Sequence, residues 1–242
     1  METVGGDTVQ DPNKIIIALD MASDNDVMAL LRQLDPSSCR VKIGKELFTR
    51  YGPDLVRRVA DMGFDIFLDL KFHDIPNTVN KAVAAAADLG VWMLTLHAAG
   101  GSDMLRAARD AVDNSEHKPL LVAVTLLTSL AENDLAIQGV ARSPLEQVQR
   151  LASLAQECGM DGVVCSAAEV SELRMLLRKD FLLVTPGIRP QGDAANDQKR
   201  IVTPAAAIQQ GSDYLVIGRP ITRAREPIEK LALIQQEISG VQ

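Results

Sequence analysis

The chain has 242 residues, which is enough for one large domain and is a common size for a single α/β barrel. Apolar residues make up 47% of it and charged residues 24%, a balance that excludes a disordered chain and favours a globular fold. The formal net charge of −7 argues against a general nucleic-acid binder, so any anion site must be locally basic.

The amino-terminal segment and the cysteines indicate the compartment. No apolar run approaches the roughly 18 residues needed to cross a bilayer, so no membrane association is expected. Residues 1–13 are polar and lack the basic flank and apolar stretch of a signal peptide, which predicts a flexible tail. Cys39, Cys158 and Cys165 are odd in number and lack metal-ligand spacing, which predicts reduced thiols in the cytoplasm.

Short runs rich in leucine or β-branched residues alternate with longer amphipathic stretches. Eight runs are predicted as strands, at residues 14–20, 40–46, 64–72, 91–98, 119–129, 162–167, 181–188 and 214–220. The intervening segments are predicted as helices. Residues 24–34 have apolar positions at helical spacing, and residues 77–90 end on a glycine suited to a C-cap.

This alternation implies right-handed crossovers and a parallel sheet. Eight units favour a closed (β/α)8 TIM barrel over an open doubly wound sheet, forming one catalytic domain over residues 14–242. The first βα turn, residues 19–26, lacks a glycine-rich dinucleotide fingerprint, which argues against a Rossmann fold. The spacing is irregular between the fifth and sixth strands, where residues 130–143 are inserted.

Charged residues interrupt the apolar third strand. In a barrel, strand residues alternate between the interior and the helix-facing exterior, and active sites form at the carboxyl ends of the strands. Asp69 and Lys71 share the face of Phe67, which predicts that both point inward at the mouth. The same parity brings Asp20 from strand one and Lys42 from strand two to that rim.

Two interpretations of these charges compete. A single Asp-x-Lys pair in a strand is typically an internal ion pair. Burying four charges at neighbouring strand ends has a high free-energy cost, because buried charges need partners. A purely structural role would not justify that cost, so the pattern favours a functional cluster.

The end of the chain predicts a phosphate site. Barrels commonly bind phosphate in the loops after strands seven and eight. Here those loops carry Arg189, Gln198, Gly218 and Arg219. Glycine permits close backbone approach, and arginine binds phosphate oxygens in bidentate fashion. Alternatively, Arg189 is a surface charge, Arg219 pairs with a carboxylate, and Gln198 is simply solvated.

The segment 68–78, "LDLKFHDIPNT", resembles the signature of the orotidine 5'-phosphate decarboxylase family, Asp-x-Lys-x-x-Asp-Ile-Pro-x-Thr on the third barrel strand. The resemblance extends over nearly the whole chain and is to the bacterial form. Its further motifs are "IALD", "VKIGKELF", "LHAAGG", "TLLTS", "TPGIRP" with Gln198, and "IGRPIT".

The resemblance implies removal of CO₂ from orotidine 5'-monophosphate to give UMP, the last step of de novo pyrimidine synthesis, without metal or organic cofactor. It implies that Lys71 protonates C6 and that Asp69 lies beside the departing carboxylate, where it either repels that group or fixes Lys71. The resemblance also implies that Lys42 and Asp20 complete the charged network and contact the ribose hydroxyls. It implies a homodimer with shared sites, in which Asp74 and Thr78 belong to the neighbouring subunit's site. Thr128 and Ser129 would contact the pyrimidine, and the phosphate would be held by Arg189, Gln198, Gly218 and Arg219.

Two alternatives stay open. A magnesium-dependent sugar-phosphate decarboxylase or aldolase on the same scaffold uses a similar Asp-x-Lys-x-x-Asp core, although the continuation Ile75 to Thr78 and "TLLTS" favour a nucleotide. A non-catalytic nucleotide-binding barrel would bind UMP but release no CO₂.

Of the histidines, His73 has the opposite parity to Lys71 and is predicted to pack or face solvent. His97 ends strand four at the mouth, a position suited to a supporting hydrogen bond near the site.

Overall fold

A computed structural model describes residues 13–190 and 202–241 of the chain. Eight parallel strands pair in sequence order, and β8 pairs with β1, so the sheet closes into a barrel. The (β/α)8 prediction is therefore confirmed. Most of the predicted tail, residues 1–12, lies outside the described residues.

The strands coincide with the predicted runs but are shorter at their ends. They are β1 (Ile15–Ala18), β2 (Arg40–Gly44), β3 (Ile66–Phe72), β4 (Met93–His97), β5 (Leu120–Val124), β6 (Gly162–Val164), β7 (Leu182–Pro186) and β8 (Tyr214–Ile217). The largest difference is in the fifth run. The chain leaves the sheet after Val124 and turns, with Leu130 N donating to Leu127 O.

Helices cover the outside of the barrel. They are α1 (Asp24–Leu31), α2 (Lys45–Ala60), α3 (Pro76–Ala87), α4 (Ser102–Asp113), α5 (Glu132–Ile137), α6 (Pro144–Glu157), α7 (Val170–Leu176), α8 (Pro204–Gln209), α9 (Arg219–Thr222) and α10 (Pro227–Ser239). The inserted segment 130–143 contains α5, whose first turn is capped by Asp134 accepting from Ala131 N. Within the described ranges, no helix combines the length and apolar character needed to cross a bilayer.

Strand parity divides the core into two layers. The larger layer lies between sheet and helices and includes Ile66 and Leu68 of β3, whereas Phe67 of the same strand belongs to the cluster inside the barrel. At the amino end of the barrel, the Arg40 guanidinium lies 4.2 Å from the centroid of the half-buried Trp92 ring, and Arg40 Nε lies 3.1 Å from Asp65 Oδ2.

Candidate functional site at the carboxyl end of the barrel

Four charged side chains from β2, β3 and the segment after β1 meet at the barrel mouth. Lys71 Nζ lies 2.6 Å from Asp69 Oδ1, and Lys42 Nζ lies 3.3 Å from Asp69 Oδ2. Lys42 Nζ is also 3.9 Å from Asp20 Oδ1. The charges that strand parity predicted at one rim are thus in contact there.

Asp69 is the centre of this network. Its carboxylate is almost fully buried, and burial alone would raise its pKa. The ammonium groups of Lys42 and Lys71, together with hydrogen bonds from Lys71 and Thr95, outweigh burial and hold the pKa of Asp69 below its usual value. Asp69 is therefore an anion at neutral pH, and both of its oxygens have cationic partners.

Two adjoining cavities open beside this network. One is mostly apolar, has a volume of about 190 Å³ and is lined by Lys42, Phe67, Asp69, Lys71, Val124, Leu126, Leu127, Thr128, Val164, Cys165, Pro186 and Val216. The other has a volume of about 200 Å³ and is lined by Leu19, Asp20, Met21, Lys42, Gly44, Lys45, Glu46, Leu47, Asp69 and Lys71. Three charged residues border both cavities, so a ligand with an apolar ring and a polar substituent fits across them.

Two glycines lie so close to the charged groups that a side chain in their place would crowd them. A Cβ added at Gly44 would lie 3.3 Å from Lys42 Nζ, and one added at Gly218 would lie 3.1 Å from Asp20 Oδ2. Both contacts are tighter than ordinary van der Waals contact. Glycine at these positions therefore allows the side chains of Lys42 and Asp20 to reach the mouth.

The other predicted site residues that the structure describes in the loops after β5, β7 and β8 occupy the same end of the barrel. Thr128 lines the apolar cavity, and Ser129 beside it is exposed. Arg189 is buried just after β7, and Arg219 begins α9 directly after Gly218. Neither arginine is among the described residues lining the two cavities, and Gln198 lies outside the described residues.

Asp74 and Thr78 flank the start of α3 on an exposed surface. Asp74 Oδ1 accepts from Ile75 N at 2.6 Å, and the Ile75 side chain is 66% exposed. Pro76 begins the helix, as expected for a residue without an N–H donor at this position. Asp74, Ile75 and Thr78 are therefore exposed to solvent in the described chain.

His97 and His73 form a pair next to the mouth, with ring centroids 5.4 Å apart. His73 is exposed, as its parity predicted, and His97 is half-buried at the end of β4. The pair places imidazole groups near the network.

Thr95 is a site residue that sequence reasoning missed. It is fully buried on β4, and its hydroxyl lies 3.0 Å from Asp69 Oδ1 and 2.8 Å from the backbone nitrogen of Lys71. A signal was available, because Thr95 has the inward parity of His97 and is a polar residue between Leu94 and Leu96. In the two described ranges, no group of three or more His, Cys, Asp or Glu side chains is arranged to hold a metal ion.

The fold and the site define a class: a (β/α)8 barrel with a charged site at the carboxyl ends of its strands. The model of the "Orotidine 5'-phosphate decarboxylase / HUMPS family" matches residues 13–234. The chain therefore belongs to the orotidine 5'-phosphate decarboxylase / HUMPS family.

Individual relatives agree with this assignment. The chain is 56% identical over 229 residues to an orotidine 5'-phosphate decarboxylase of Nitrosococcus oceani, covering 95% of this chain and 99% of the relative. It is 54% identical over 227 residues to one of Photobacterium profundum, covering 93% and 98%. A crystal structure of orotidine 5'-phosphate decarboxylase from Lactobacillus acidophilus superposes with a TM-score of 0.84 at 40% identity, covering 93% of this chain and 99% of that one.

Proposed function

We propose that this protein converts orotidine 5'-monophosphate to UMP and CO₂, the last step of de novo pyrimidine synthesis. The observation that carries the proposal is the Lys71 ammonium, held 2.6 Å from Asp69 at the border of a mostly apolar cavity. The names of the relatives described above support the same substrate.

Lys71 is the proposed proton donor. When the bond between C6 and the carboxyl carbon breaks, its electron pair stays on C6 and is poorly delocalised into the ring. A fixed cation stabilises this carbanion electrostatically. The Nζ proton of Lys71 then forms the C6–H bond, and the neutral amine regains a proton from water. The Asp69 carboxylate, 2.6 Å away, pairs with the ammonium group that this step needs.

Asp69 and Lys42 hold Lys71 in place in this mechanism. Asp69 accepts from Lys71 through one oxygen and pairs with Lys42 through the other, so its position is fixed from both sides. This arrangement supports a positioning role for Asp69 in the folded protein. Lys42 and Asp20 border the second, more polar cavity, where we propose that they contact the ribose hydroxyls.

The pyrimidine and the phosphate have separate proposed contacts. Thr128, and Ser129 beside it, would contact the ring at the apolar cavity. Arg189, Gln198, Gly218 and Arg219 would hold the phosphate, as loops after the seventh and eighth strands do in many barrels. Binding energy from this remote group can lower the barrier at C6, because enzymes use such contacts to drive closure around the substrate.

The proposed active form is a cytoplasmic homodimer. Asp74 and Thr78 point to solvent within one protomer, which supports their contribution to the neighbouring site. All three cysteines are buried free thiols, as expected in a reducing compartment. We propose that the catalytic domain comprises residues 14–242. We also propose that the protein binds neither nucleic acid nor membranes.

We further propose that the reaction needs no metal or organic cofactor, because lysine ammonium groups already engage both Asp69 oxygens. The test measures the loss of ultraviolet absorbance as orotidine 5'-monophosphate (orotidylate) is converted to UMP, with and without EDTA. Equal rates are expected. No consumption of orotidylate would reject the function, and turnover of a sugar phosphate that EDTA abolishes would favour the magnesium-dependent alternative.

A further inference from the structure

The third strand contains an irregularity at the site. Between two points of pairing, β3 advances four residues, from Leu68 to Phe72, while β4 advances two, from Leu94 to Leu96. The two additional residues form a bulge that includes Asp69 and Lys71. Such bulges redirect side chains and leave backbone groups without ladder partners.

Lys71 adopts a backbone conformation within this bulge that side chains rarely take. Its φ of +54° makes it the one non-glycine residue with positive φ in the described parts of the chain. A non-glycine residue rarely adopts this region and persists there only where its surroundings hold it. The conformation therefore requires a specific restraint.

Thr95 supplies that restraint from the neighbouring strand. Its hydroxyl accepts from the Lys71 backbone N–H at 2.8 Å and donates to Asp69 Oδ1 at 3.0 Å. Asp69 Oδ1 also accepts from Lys71 Nζ, which closes a ring of three contacts among these residues. One hydroxyl thus fixes both the bulged backbone and the carboxylate that orients the ammonium.

We propose that Thr95 is a positioning residue that sets the direction of the Lys71 ammonium toward the cavity. This inference rests on the proposed function for its effect on turnover. Thr95 lies outside the described linings of both cavities, so it acts through Asp69 and Lys71. Its loss should slow the chemical step without weakening ground-state nucleotide binding, because the contacts of a bound nucleotide stay in place.

The test compares Thr95→Val, which removes the hydroxyl at nearly constant volume, with Thr95→Ser, which keeps it. Thr185→Val is the matched control, since Thr185 is also fully buried and its hydroxyl lies 3.1 Å from Ser212 Oγ on another part of the barrel. The measurements are kcat for orotidylate per folded enzyme, the dissociation constant of UMP, and the pKa of the Asp69 carboxyl by ¹³C NMR.

We expect Thr95→Val to lower kcat about 10- to 100-fold, since small misplacements of catalytic groups cost this much. UMP affinity should stay within about threefold, Thr95→Ser should recover most of the loss, and Thr185→Val should retain kcat. A folded Thr95→Val with kcat within about twofold of wild type would overturn the inference. So would equal losses in kcat and UMP affinity, or a Thr95→Ser variant as slow as Thr95→Val.

Two provisions keep the test decisive. If Thr95→Val does not fold, Thr95→Cys, with its weak donor and acceptor, is judged by the same criteria. If wild-type protein does not consume orotidylate, the proposed function fails, and the carboxyl titration decides this inference alone. A raised Asp69 pKa in Thr95→Val, with no change in Thr185→Val, supports it, and an unchanged pKa overturns it.

Discussion

Lys71 Nζ lies 2.6 Å from Asp69 Oδ1, although the two residues belong to one strand and are separated by a single residue. The other oxygen of the same carboxylate lies 3.3 Å from Lys42 Nζ. One buried anion therefore holds two cations at the mouth of the barrel. With Asp20, the cluster has two ammonium groups and two carboxylates, so we propose that the positive charge an anionic substrate requires in this chain of net charge −7 comes from Arg189 and Arg219.

Arg219→Ala tests the proposed phosphate site. The guanidinium can donate two charge-assisted hydrogen bonds to phosphate, and such bonds contribute about 1.5–3 kcal/mol each. We expect kcat/KM for orotidine 5'-monophosphate to fall about 10²- to 10⁴-fold, with an unchanged circular dichroism spectrum. The rate with orotidine, which lacks the phosphate, should barely change, and the exposed Arg225→Ala should behave as wild type. An equal loss with both substrates would remove Arg219 from the phosphate site.

The proposed sharing of sites between two protomers predicts complementation between two inactive variants. Lys71→Ala and Asp74→Ala should each lose activity alone, but a mixed dimer would contain one site with Lys71 from one protomer and Asp74 from the other. Random mixing gives half mixed dimers, so refolding the two variants together should restore about a quarter of wild-type activity.

The matched control for complementation mixes Lys71→Ala with Arg219→Ala. Both residues are proposed to serve the site of their own protomer, so no mixed dimer contains an intact site. Recovery in this control, or none in the Lys71 and Asp74 pair, would contradict the shared arrangement.

His97 predicts a pH dependence of stability. Burial first, and then the nearby His73, Lys45 and Lys71, hold the pKa of His97 below its usual value against the opposing effect of Asp69. The unfolded chain therefore takes up the proton at higher pH than the folded protein. The stability of the folded protein that depends on a neutral His97 is fully present above the ordinary histidine pKa of about 6.5. It is lost as the pH falls below that value.

Urea unfolding measures this effect. Between about pH 7 and about pH 5, the free energy of unfolding should fall more for wild type than for His97→Gln. An imidazole NMR titration should show His97 protonating below the ordinary value, and His73→Ala should move that midpoint upward. Parallel unfolding curves for wild type and His97→Gln would show that His97 is not the responsible group.

Much of this architecture could be predicted from the sequence. The eight strand runs are separated by amphipathic segments, and period-two alternation within β3 places Phe67 inside and Leu68 outside. The charged cluster followed from the same parity. The two additional residues of the β3 bulge did not disturb that prediction, because an even insertion returns later side chains to the same face.

Other features depend on contacts between distant residues. The bulge and its restraint by Thr95 arise from the register of β3 against β4, which no local pattern specifies. The fifth run was predicted to end at residue 129, but residues 125–129 leave the sheet. Leu126 and Leu127 then line the cavity. An apolar run has the same appearance whether it fills a core or forms a ligand pocket.

Lys71→Ala tests the central claim most directly, by measuring ¹⁴CO₂ released from carboxyl-labelled orotidine 5'-monophosphate in single turnover. Removing the ammonium should slow release at least about 10³-fold, because a cation at the developing charge supplies this much stabilisation. Lys81→Ala, which removes an exposed lysine on α3, should match wild type. A folded Lys71→Ala protein that still binds UMP and releases CO₂ at the wild-type rate would contradict the account.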